Sequence, residues 1–239
     1  MYAVAQNLAL LGGVMGPALV PVLLAKLSQL LKQGRVQPVK ALSQMAMRVV
    51  LLHLPFAGVV IGSASEIVRW LFGDAYGAAG PLFALLFLAA IAAVMIAVTS
   101  AILIASERPI WTLFLAAPMP IISVIGHCLL IPRLGPLGAA IVTLIVASLS
   151  AVGAITAVHL RWQIVPPGTT LGRSGLLFTV SLSIASAWSA PGPWLLLKLP
   201  VLGLAVLAML WVSGELSSED KRRLRKFFLD KFNKSPSKT

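Results

Sequence analysis

The chain has 239 residues, of which 59% are apolar and only 11% charged, with a mean hydropathy of +0.95. Soluble domains average roughly 25% charged residues, so a water-soluble globule is excluded and a polytopic membrane protein is expected. Nineteen Lys and Arg against seven Asp and Glu give a net charge of +12; because the basic residues fall between apolar runs, they point to membrane topology rather than to a nucleic-acid partner.

Seven apolar runs follow one another, each about as long as a bilayer crossing requires. The first covers residues 2–25 and contains Pro17 and Pro21. No Lys or Arg precedes it, so it lacks the basic start of a signal peptide and is expected to stay in the mature protein. A basic segment, 26–48, is read as a connection. The second run is 49–70, with His53 and Pro55 near its start and Glu66 and Arg69 near its end. The third and fourth cover 81–105 and 110–131, the fourth with Pro118, Pro120 and His127; the fifth, sixth and seventh cover 137–160, 174–190 and 194–213. Backbone groups in hydrocarbon must bond internally, and alternating ten-residue barrel segments are missing from the pattern. The expected fold class is therefore all-α, a seven-helix membrane domain over residues 1–213 followed by a cytoplasmic tail, 214–239.

Assigning alternate connections to opposite faces places sixteen basic residues on one side: Lys26, Lys32, Arg35, Lys40, Arg48, Arg108, Arg161, Arg173 and eight in the tail. Only Arg69, Arg133 and Lys198 fall on the other. The positive-inside rule then puts the N-terminus outside and the C-terminus in the cytoplasm. In the tail, Ser217 and Asp220 form a capping-box pattern, and Leu224, Phe227, Phe228 and Phe232 share a helical face. With Lys221, Arg222, Arg223, Arg225 and Lys226 this reads as a basic amphipathic helix on anionic inner-leaflet lipids, or as a merely solvated charged tail. Residues 235–239 are expected to be disordered.

Ionisable groups inside a bilayer cost about 2.5–3.5 kcal/mol each, so the few present need a reason. Glu66 and Arg69, spaced i and i+3, can pair with each other or line the mouth of a cavity. His127 lies in the outer third of its run, away from any charge, and either faces a hydrated cavity or bonds a neighbouring helix. His53 is a further substrate-path candidate, and His159 is interfacial. Three dispersed histidines and the single Cys128 give no metal-ligand spacing and no disulfide. No constellation supports catalysis, so neither enzyme activity nor a cofactor is expected. Pro17, Pro21, Pro118 and Pro120 should kink or unwind their helices; broken helices of this kind occur where exposed backbone lines a cavity or packs on protein.

Several short stretches, in order, resemble the polysaccharide flippases of the multidrug/oligosaccharidyl-lipid/polysaccharide exporter superfamily, which includes the O-antigen and lipid II flippases. Residues 129–140 (LLIPRLGPLGAA) resemble that family's junction between two late helices, and residues 67–76 (IVRWLFGDAY) its LFG-x-x-Y turn. Ser106, Glu107, Arg108 and Pro109 occupy the place of its short cytoplasmic turn, and residues 214–224 resemble its closing tail. His127 stands where the family often carries Asn. The resemblance implies that the chain corresponds to helices eight to fourteen of a fourteen-helix flippase, one lobe of two plus an appended pair formed by the sixth and seventh runs. It further implies alternating-access movement of polyprenyl-pyrophosphate-linked glycans across the bacterial inner membrane. A cavity between two lobes cannot be built by one, so a separately supplied N-terminal lobe or a second copy is expected as partner, unless the chain is a non-functional remnant. From other classes come a non-transporting scaffold of glycan-synthesis machinery and a seven-helix receptor or retinal protein using Lys198; the latter lacks a carboxylate counter-ion in the third run.

Overall fold

The computed structural model describes residues 1–106 and 110–215, and these contain helices and turns but no strand. Among the described residues are eleven α-helices and two short 3-10 helices, Asp74–Ala79 and Gly192–Trp194. The α-helices are α1 (Tyr2–Gly13), α2 (Met15–Lys32), α3 (Val36–Leu51), α4 (Leu54–Gly62), α5 (Ala64–Phe72), α6 (Gly80–Ala105), α7 (Ile110–Ala116), α8 (Met119–Leu134), α9 (Pro136–Trp162), α10 (Gly168–Ala187) and α11 (Leu195–Val212). Five helical stretches are long and apolar enough to cross a membrane: Tyr2–Lys32, Val36–Gly62, Asp74–Ala105, Pro136–Trp162 and Gly192–Val212. Met119–Leu134 is a shorter apolar helix. The multi-pass helical class is thus as expected. Two of the seven expected crossings are not among the five: the fourth, 110–131, which is divided between α7 and α8, and the sixth, α10, whose apolar content is diluted by Arg173 and by Thr169, Thr170, Ser174, Thr179, Ser181, Ser183 and Ser186.

Prolines set the breaks. A proline ring clashes with the carbonyl four residues back and offers it no N–H. Pro17 lies four residues after Gly13, where α1 ends; Pro55 four after Leu51, where α3 ends; Pro120 four after Ala116, where α7 ends. The kinks expected from Pro17 and from Pro118 and Pro120 therefore occur as interruptions at Val14 and at 117–118, whereas Pro21 sits inside α2 without breaking it.

The segment 26–48 is not a loop. α2 continues to Lys32 and α3 starts at Val36, so only three residues connect them. The reversal is a Schellman turn: Arg35 N–H donates to the Leu30 carbonyl at 3.0 Å and Gly34 N–H to that of Leu31 at 2.9 Å, with Gly34 at φ +68°, a conformation open to glycine without a Cβ penalty. The expected second run is displaced in the same way, its helix beginning at Val36 and turning at Ser63.

α6 is the axis of the bundle. Fifteen of its 26 residues are buried, and α1, α2, α3, α4, α5 and α9 all pack on it; a helix apolar on every side belongs in such a position. Phe83 and Phe87 stack edge to face at 5.6 Å within this core. A second, smaller core joins Val59 of α4 to Leu177 and Ala185 of α10 and to Leu202, Val206 and Leu210 of α11. α8 buries no residue fully and leans on α9.

The most extensive helix pairing, α4 with α10, depends on Gly58 and Gly62. A Cβ at Gly58 would lie 2.6 Å from the Phe178 carbonyl oxygen, and one at Gly62 would lie 2.8 Å from that of Leu182. Gly-x-x-x-Gly spacing lets helix backbones approach this closely in apolar surroundings. Ser181 Oγ donates across the contact to the Pro55 carbonyl at 2.8 Å. That carbonyl belongs to a helix start, and Ser181 is sealed from solvent.

Candidate functional site

A groove of about 690 Å³ lies between the broken pair α1–α2 and the faces of α6 and α9. Its walls are built from small side chains. Gly13, Gly16, Pro17 and Pro21 come from the interruption in the first crossing, Ala89, Ala90, Ala93 and Ala97 from α6, and Ala147 from α9. Tyr2, Gln6 and Thr143 are its polar members. The interruption in α1–α2 faces a stretch of α6 where Ala89, Ala90, Ala93 and Ala97 alternate with Leu86 and Val94. The result is an apolar trough with a few hydrogen-bonding groups, the lining expected for an extended hydrocarbon chain.

A second cavity, about 660 Å³, lies where α7 and α8 break apart against α6 and α9. Ser100, Thr112, Ser123 and Ser150 give it hydroxyls. His127 stands one turn from Ser123, and its Nδ1 lies 2.7 Å from the Ser123 carbonyl oxygen. The same Nδ1 lies 3.2 Å from the Ser123 hydroxyl, so both polar groups of Ser123 are turned to one ring nitrogen. The expected bond to a neighbouring helix is thus replaced by a bond within α8.

Glu66 and Arg69 do not pair with each other. Glu66 Oε2 receives Lys198 Nζ of α11 at 2.5 Å, and Glu66 Oε1 receives the Ala190 N–H at 3.0 Å. Lys198 is completely buried, while Glu66 retains 23% exposure. The 132-residue separation prevails over i, i+3 proximity because a buried ammonium must find a carboxylate. Glu66, Arg69, Trp70 and Asp74 together line a cavity of about 520 Å³ with Ser189, Pro191 and Gly192 of the α10–α11 connection. His53 stands at the N-cap of α4, its ring centroid 6.3 Å from that of Phe56.

At the opposite end of α11 lies a cluster missing from the sequence expectations. Glu215, 3% exposed, is reached by Arg48 Nη2 at 3.1 Å, Arg173 Nη1 at 3.2 Å and Thr170 Oγ1 at 2.8 Å. Arg48 also donates to the Glu215 carbonyl. Burial pushes the Glu215 carboxyl upward. The hydrogen bonds from Thr170, Arg173 and Arg48, with the charge of Arg48, outweigh it and hold the carboxyl below the ordinary glutamate range. A second Schellman turn aims this residue: Gly214, at φ +74°, donates to the Trp211 carbonyl and Glu215 N–H to that of Leu210 at 3.2 Å. A signal was available, since Gly214 directly after an apolar helix marks a C-cap and a lone carboxylate beside it needs a cation.

Among the described residues no three His, Cys, Asp or Glu side chains come together as a metal site. Lys221, Arg222, Arg223, Arg225 and Lys226, expected at the inner leaflet, the Ser217–Asp220 capping pattern, and Glu107, Arg108 and Pro109, expected in a short turn, lie outside the described residues. No protein-family model and no curated protein matches the chain.

Proposed function

We propose that this protein is one wall of a flippase-type passage for lipid-linked glycans. The observation that carries the proposal is the apolar groove of about 690 Å³ along α1–α2, α6 and α9, which takes the polyprenyl chain while the polar headgroup travels beside it. The ordered motifs at residues 67–76 and 129–140 support the same reading.

In this proposal the chain crosses a bacterial inner membrane seven times, α10 being the sixth crossing, with the N-terminus outside and the basic face in the cytoplasm. Thr170, Ser174 and Ser181 of α10 are buried, while Thr179, Ser183 and Ser186 are exposed and donate to carbonyls of their own helix, which lowers the cost of their hydroxyls in this crossing. The open side of the groove is completed by a second lobe, from a partner chain or a second copy.

Photolabelling tests this. Cells carrying the protein are given a diazirine-bearing polyprenyl phosphate, and labelled peptides are mapped. Labelling of α1–α2 and α6, abolished by Ala93→Phe, is the expected result, together with a fall in surface glycan on gene deletion. Labelling confined to α8, or unchanged surface glycan and unchanged lipid-linked precursor after deletion, refutes the proposal.

A further inference from the structure

A smaller cavity of about 420 Å³ lies where α2, α6 and α9 end together. Its polar lining comes from Ser28, Lys32 and Ser106 and from Arg161 and Trp162 of α9. Among the described residues no carboxylate lines it, and all three ion pairs among those residues are made by Glu66 and Glu215. Lys32 and Arg161 are both exposed, and the Arg161 guanidinium is held over the Trp162 ring at 5.4 Å. A cation stacked on an indole keeps its in-plane N–H groups free to donate. Lys32 and Arg161 carry full charges, which exceed the half-charges of the helix ends around them.

The lip of the cavity is different in kind. Leu31 is half-buried, and Ile104, 45% exposed, stands beside the basic residues. An anion-binding floor with an apolar edge matches a molecule that is itself charged at one end and greasy at the other. Lys32 and Arg161 belong to the face on which basic residues gather along this chain, and indole and guanidinium groups together are typical of the headgroup level of a bilayer.

We propose that this cavity is a binding site for the phosphate headgroup of an anionic membrane lipid, with Lys32 and Arg161 holding the phosphate oxygens and Leu31 and Ile104 taking the first carbons of the chain. A free phosphate ion uses only the floor; the apolar lip selects the lipid. The site is separate from the groove along α1–α2, so its occupancy and the photolabelling of that groove are independent readouts.

Native mass spectrometry of the purified full-length protein in detergent tests it, with phosphatidic acid and phosphatidylcholine of matched chains as probes. Phosphatidic acid should bind at least tenfold more tightly than phosphatidylcholine. Lys32→Gln and Arg161→Gln should each weaken it about fivefold, the equivalent of roughly 1 kcal/mol per basic residue near a membrane surface. Lys40→Gln, which removes the same charge from α3 outside the cavity, should leave binding unchanged. Both targeted side chains are exposed, and circular dichroism of the variants verifies that the helices persist. Equal weakening by Lys40→Gln and by the Lys32→Gln/Arg161→Gln double variant overturns the proposal, as does equal affinity for phosphatidylcholine. Displacement of the lipid by inorganic phosphate at millimolar level overturns the lipid assignment by showing that only the charge is read.

Discussion

The Lys198–Glu66 pair allows a quantitative test of how the α10–α11 unit is held. Lys198 has no exposure at all and its Nζ sits 2.5 Å from a Glu66 carboxylate oxygen. Glu66→Leu strands the ammonium in an apolar setting. Breaking a buried pair in this way costs about 3–5 kcal/mol, and the 23% exposure of Glu66 places the loss near the lower figure, about 3 kcal/mol. Lys198→Met is milder, because Glu66 keeps the Ala190 N–H at 3.0 Å and some access to water; about 1–2 kcal/mol is expected for a lost charge-assisted hydrogen bond. Replacing both leaves no orphan charge, so Glu66→Leu/Lys198→Met should fall within about 1 kcal/mol of the parent. The coupling energy of the cycle is then about 3 kcal/mol or more. The measurement is SDS-induced unfolding in mixed micelles, followed by tryptophan fluorescence. A double variant as unstable as the two single losses combined would refute the reasoning, since it would mean that the pair is not what holds Lys198 in place.

Three further outcomes follow from the same packing. Gly58→Ala and Gly62→Ala should each destabilise the fold by more than 1 kcal/mol, because the added Cβ meets backbone oxygens of α10 at 2.6 and 2.8 Å; loss of an engineered disulfide between α4 and α10 reports the separation. The carboxyl of Glu215 is held below its ordinary value, so its contribution to stability is complete above about pH 4.3, the unfolded value, and is lost as the pH falls through the lower folded value. Unfolding titrations should show this acid-side loss in the parent and a flatter profile in Glu215→Gln. Gly214→Ala should cost roughly 1 kcal/mol from the positive φ alone and loosen the Arg48 contact, visible as faster amide exchange in the last turn of α11.

The proline interruptions were legible in part: a ring and a carbonyl four residues apart mark where a helix can break, but Pro21, Pro132 and Pro200 meet the same condition inside continuous helices. Of the four prolines expected to kink or unwind their helices, Pro17, Pro118 and Pro120 stand at breaks and Pro21 does not. The extent of α2 and α3 was not legible, because hydropathy reports which residues prefer lipid and says nothing of a helix that continues past them; Lys26, Lys32, Lys40 and Arg48 are all helical. The partners of Glu66 and Glu215 were hidden for a different reason. Both are chosen by tertiary approach, across 132 and 167 residues, and a charge buried without water takes whichever opposite charge the packing brings. Gly58 and Gly62 carry a recognisable spacing, yet only the facing carbonyls of α10 turn that spacing into a contact.

The anchorage of α11 has a consequence for motion. Lys198 and Glu215 are seventeen residues apart, about 25 Å along a helix axis, so the rod is bolted at each extremity. A piston stroke or a screw rotation of α11 would have to shear both bolts together. Backbone bonding is already interrupted at Val14, at 52–53, at Ser63 and at 117–118, none of which lies within α11. The two bolts fasten α11 to α5 at one end and to α3 and α10 at the other, so a displacement of α11 along its own axis would have to drag those three helices with it.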